Sequence, residues 1–133
     1  MKRTTLTRAI SAMMTAGMIL GAVIPVAAED DETGRLIKAL RADNLGWRVS
    51  AAQLLGENKE ERAVKPLIRM LQKDLKYSAR VSAAVALAQI GDKKALRALK
   101  NSARNDRNGT VRTVARGAIF EIERTDVKLA VKK

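Results

Sequence analysis

The side chains with chemistry to offer are few in kind. The sequence has no Cys and no His, which removes disulfides, zinc fingers, thiolate nucleophiles and imidazole acid–base work near neutral pH. No Gly-rich loop fits a phosphate, and no Ser stands in a nucleophile-elbow setting. Beyond residues 29–32, carboxylates gather only at Glu57, Glu60 and Glu61 and at Glu121, Glu123 and Asp126. Without a cleft to desolvate them, they read as helix-end and surface groups and not as an acid and base pair. The expectation is a protein that is not an enzyme and needs no metal or cofactor. What remains is ionic chemistry. Lys and Arg outnumber Asp and Glu by 26 to 14, a formal net charge of +12, which favours negatively charged partners.

Two ionic patterns recur. The first is Asp43 with Arg48, Asp74 with Arg80 and Asp106 with Arg112, read as charge-assisted bonds that tie neighbouring repeats together; the alternative is a row of Arg open to an anionic ligand. The second is a set of basic residues three or four apart: Lys38 and Arg41, then Lys65, Arg69 and Lys73, then Arg97, Lys100 and Arg104. At that spacing they form a stripe on a helix face opposite its apolar stripe. Such a stripe is most simply a solvated surface. The sharper reading is attraction to an anionic membrane surface, a wall polymer or another polyanion. Nucleic acid is disfavoured, because Trp, Tyr and Phe occur once each and leave no stacking platform for single strands.

The elements that must position these residues are written three times. Arg48, Arg80 and Arg112 stand 32 residues apart, followed in register by Ala51, Ala83 and Ala115 and by Leu55, Leu87 and Ile119. A repeat of this length is a small helical hairpin that buries its apolar face only against the next copy. First helices are marked by Leu36, Ile37 and Leu40, by Leu67, Ile68 and Leu71, and by Leu96, Leu99 and Ala103. Second helices are expected over about 47–57, 79–90 and 111–123, with turn formers and caps such as Asn44, Ser78, Asn108 and Gly91 between elements. The fold class is therefore all-α: an α-solenoid of about three hairpins, six helices in two layers, spanning residues 35–123.

Residues 47–56, Trp-Arg-Val-Ser-Ala-Ala-Gln-Leu-Leu-Gly, with Arg62-Ala63-Val64-Lys65-Pro66-Leu67-Ile68 after them, resemble a HEAT repeat of the short type also found in phycobilisome-lyase-like proteins. Residues 80–96 are similar, and the third copy matches more weakly. The resemblance implies a solenoid that binds other proteins and, in some relatives, handles a chromophore on a partner; that chemistry is not carried over. The sequence departs from the pattern at Asn58-Lys59, at Arg116 in place of a small Ala, and at Phe120 where Gly56 and Ala88 stand in the other copies. Large residues there suit either a terminal repeat with no further neighbour or a docking edge.

Ahead of the repeats, Lys2, Arg3 and Arg8 precede an apolar run over residues 9–26 and a Val26-Ala27-Ala28 ending. This reads as a signal peptide over residues 1–28, cleaved after Ala28. The alternative is an uncleaved anchor helix. Either way the body is expected outside the cytoplasm, periplasmic or secreted. Residues 29–34 read as an acidic disordered lead-in, and residues 124–133 as a tail that lies over the last hairpin or stays mobile. Asn108-Gly109-Thr110 fits both a glycosylation acceptor and a plain turn. The expected role is an exported interaction module that offers the inner layer of second helices and its exposed ends to another protein, and the runner-up is a binder of anionic surfaces through the basic convex face. Three hairpins are near the minimum for a stable array, which leaves end-to-end self-association open.

Overall fold

The computed structural model describes residues 31–132. The expected leader and its cleavage site fall outside them. Six helices follow in order: α1 (Glu32–Ala39), α2 (Leu45–Glu57), α3 (Val64–Lys73), α4 (Tyr77–Ile90), α5 (Leu96–Asn105) and α6 (Gly109–Val131). Single 3-10 turns at Glu61–Ala63 and Lys93–Ala95 lead into α3 and α5. No strand occurs among the described residues.

Local chemistry sets the boundaries. Asn44 and Asn108 cap α2 and α6 by accepting from the Trp47 amide and from the Thr110 and Val111 amides. Lys76, at the start of α4, offers no side-chain cap; the Asp74 carboxylate takes the Lys76 amide instead. Helix α4 ends at Gly91, which has φ +77, a left-handed position that suits Gly. The equivalent residue after α2 is Lys59, also left-handed at φ 52, and there a side chain bears the steric cost.

Packing follows the Ala pattern. Helices α2, α4 and α6 lie close together as one layer, whereas in the other layer α3 and α5 touch lightly and α1 and α3 scarcely at all. The close layer is possible because its contacts are made by small residues. Ala51, Ala52, Ala79, Ala83, Ala84, Ala86 and Ala115 are buried, and Leu55, Leu67, Leu71, Leu87, Leu99, Val111 and Ile122 fill the space between layers. Gly56 marks the tightest approach: a Cβ there would lie 2.7 Å from the Ala86 Cα and 2.2 Å from Gln89 Oε1. Helix α4, flanked on both sides, is the most deeply covered.

Two boundaries differ from the sequence reading. Glu32, Thr33 and Gly34, assigned to the lead-in, are the first turn of α1. Residues 124–131, assigned to the tail, continue α6 as one 23-residue helix. Within that extension Asp126 pairs with Lys93 at 2.8 Å, just beyond the Glu123 pair with Lys100 at 3.4 Å, while Val127, Leu129 and Val131 remain exposed.

Candidate functional site

The Asp and Arg series forms a ladder between repeats, with partners other than those the spacing suggested. Arg48 does not pair with the Asp43 carboxylate. Its Nε and Nη2 donate to Asp74 of the next repeat at 2.8 and 3.1 Å, and its Nη1 donates to the main-chain carbonyls of Ala42 and Asp43, each at 2.9 Å. Arg80 repeats the arrangement one unit on, holding Asp106 at 2.8 and 2.9 Å and the carbonyls of Asp74 and Leu75 at 2.9 and 3.3 Å. Each guanidinium thus fastens its own turn and the turn of the following hairpin. The bidentate bond from Arg80 holds the Asp106 carboxyl below the usual carboxylate range, against the opposing pull of burial, and the same bond raises Arg80.

The carbonyl contacts also correct the register. Arg80 and Arg112 reach back six residues, to Asp74 and Asp106. Six residues before Arg48 stands Ala42, so the first repeat has no ladder carboxylate and Asp43 is one place out of line. At the other end, Arg112 donates to the Asp106 carbonyl at 2.7 Å, and no following Asp meets its fork among the described residues. Two rungs therefore close, and Arg48 and Arg80 are not open to a ligand.

The basic residues of the first helices separate into distinct settings. Lys38, Arg41, Arg69 and Lys73 ring a groove of about 700 Å³ between α1 and α3. Its lining also includes Ile37, Leu40, Pro66, Met70, Leu75 and Lys76. Arg97 lines a smaller groove of about 450 Å³ between α3 and α5, with Lys94, Ile68 and Gln72. Lys100 is paired with Glu123. Lys65 and Arg104 are exposed and line neither groove. The basic residues of α3 and α5 are exposed on their helices, whereas Arg41 lies in the turn after α1 ends at Ala39, and only the first two groups meet around one cavity. The sequence reading missed the apolar part of that cavity. Leu75, in the turn before α4, is 82% exposed.

Both ends of the stack expose large apolar side chains. Trp47 is 67% exposed and Leu54 43%, whereas their equivalents Ala79 and Ala86, and then Val111 and Ala118, are buried. At the far end Phe120 is 65% exposed, in the place held by Gly56 in the first copy. Arg116 is exposed there too. The carboxylates considered for catalysis lie on the surface: Glu57 accepts from Gln53, and Glu121 from Arg124. No cluster of three or more potential metal ligands occurs among the described residues. Asn108 of the acceptor motif is engaged as a helix cap.

Stacked hairpins joined by an Asp–Arg ladder define an α-solenoid. A family model described as HEAT repeats matches residues 33–119. The chain belongs to the HEAT-repeat family. The match is to HEAT repeats at large and does not single out the short lyase-associated type. No curated protein gives a significant match.

Proposed function

We propose that the protein is an exported, non-catalytic interaction module that holds another protein. HEAT repeats commonly serve as protein-interaction scaffolds, and the observation that carries the reading here is the pair of apolar ends. Trp47 and Leu54 at one end are large and exposed where the middle repeat keeps the buried Ala79 and Ala86, and Phe120 at the other end is large and exposed where the earlier repeats keep the buried Gly56 and the half-buried Ala88. Clustered apolar groups on a monomer's surface mark contact sites. Regular head-to-tail stacking is an unsuitable use for them: the helix following Gly56 sits too close to admit even a Cβ, and Phe120 occupies the corresponding place. Export rests on the leader-like residues 1–28, and a periplasmic or secreted location follows from it.

The test is photo-crosslinking in the native cell from single reactive residues at Trp47 and Phe120, with Gln53 as the reference position. The reading expects one or a few discrete protein adducts from the ends, retained at raised salt. Adducts with lipid alone, or equal scatter from all three positions, would count against it. A second reading, electrostatic attachment to anionic lipid heads or wall polymers, is favoured by the exposure of Lys65, Arg69, Arg97 and Arg104. It requires binding to anionic vesicles that disappears as salt screens the charges.

A further inference from the structure

We infer that the groove between α1 and α3 is a docking site for an acidic amphipathic segment of a partner protein. The inference rests on the reading of the chain as a protein-interaction module and names the kind of segment it takes. The groove exists because α1, only eight residues long, packs on α2 and the turn at Glu61–Ala63 without closing on α3. Leu40 and Met70, both nearly fully buried, lie at its base with Ile37 and Pro66 beside them, and Leu75 stands exposed at one end. Around this apolar floor are the side chains of Arg41, Arg69, Lys73 and Lys76. The carboxylates that line it are Asp43 and Asp74, and Asp74 is already held by Arg48. The cavity therefore combines an apolar floor with a cationic rim.

An occupant must bring apolar side chains down to Leu40 and Met70 and carboxylates out to the rim. A helix with apolar residues at i, i+3 and i+4 and acids beside them meets both demands. Its length follows from the longer wall: α3 has 10 residues, or roughly 15 Å at 1.5 Å per residue, which accommodates between two and three turns. A planar lipid surface meets the rim alone, since the floor is recessed below it. The neighbouring groove between α3 and α5 has the cations Lys94 and Arg97 but also Gln72 and Asn101 in its lining, and it is the smaller of the two.

The experiment is selection from a displayed library of random peptides of about twelve residues on the full chain, followed by anisotropy with the enriched peptide. The paired variant Arg69→Glu/Lys73→Glu is compared with Arg97→Glu/Arg104→Glu, which makes the same charge change on the same layer away from the groove. Circular dichroism establishes that both remain folded, and Leu75→Ser tests the apolar element without altering charge. The inference expects enriched peptides that combine acids and apolar residues at helical spacing. It expects tenfold or greater loss with the groove pair, several-fold loss with Leu75→Ser, and less than about twofold change with the control pair. No enrichment, enrichment of acids without apolar residues, or equal loss in both pairs would overturn it, as would binding to phosphatidylglycerol vesicles in place of any peptide. Crosslinks from Trp47 and Phe120 would survive that failure, so the broader reading stands or falls separately.

Discussion

Three arginines at equivalent repeat positions differ in burial and in bonding, and this makes a graded test of how the stack is held. Replacing each by Met keeps most of the aliphatic stem and removes the guanidinium. Arg80 has four bonds, and its side chain and that of Asp106 are 4% and 8% exposed. Removing one member of a buried pair costs about 3–5 kcal/mol. The Asp106 carboxylate keeps the Asn108 amide, which places Arg80→Met near the lower end, about 3 kcal/mol. Arg48 also has four bonds but is more open to water, at 14%, so about 2 kcal/mol is expected. Arg112 has one bond, to a carbonyl, worth about 1 kcal/mol or less. Urea unfolding followed by far-UV circular dichroism reads the series, because the lone Trp is exposed and is a poor reporter of burial. The midpoints should fall in the order Arg80, Arg48, Arg112, with unchanged denaturant slopes. Equal losses at all three positions, or the greatest loss at Arg112, would refute the claim that the inter-repeat carboxylate sets the strength of each rung.

Other expectations follow from the same geometry. Gly56→Ala should destabilise by about 1–3 kcal/mol, since its Cβ meets α4, whereas Gly117→Ala, with nothing within 4 Å, should stabilise by roughly 0.5–1 kcal/mol; parallel urea melts compare them. Lys59→Gly relieves the left-handed strain at φ 52 and should raise stability by about 1 kcal/mol. Asp106 has its folded pKa lowered by the Arg80 hydrogen bond. Its contribution is therefore complete above the unfolded carboxylate value of about 3.9 and is lost as pH falls through the lower folded value. Acid titration of stability should be shallower in Asp106→Asn than in the unaltered chain.

The repeat was legible in the sequence because the close layer tolerates only small residues at fixed places. Ala51, Ala83 and Ala115 recur at one spacing since all three are buried between helices. The ladder was half legible. Its members are visible as residue types, but bonding across repeats is a tertiary fact, and two adjacent candidates, Ala42 and Asp43, obscured the first register. The five-residue step from Asp43 to Arg48, against six in the other copies, was the available clue. The extension of α6 was hidden because Val127, Leu129 and Val131 alternate with Lys128, Ala130 and Lys132 and none of the three is buried, so no apolar helical stripe marks it. The groove could not be seen either, since it arises from the gap that α1 leaves beside α3 and not from any motif within one helix.

The central claim is that this solenoid acts by contact, through its outer groove and its apolar ends. Hydrogen–deuterium exchange of the full chain, alone and with the protein captured by crosslinking, tests it most directly. The account predicts slowed exchange at residues 37–43 and 66–76, together with residues flanking Trp47 or Phe120. Unchanged exchange at all of these, with slowing confined to the layer of α2, α4 and α6 away from its ends, would contradict it.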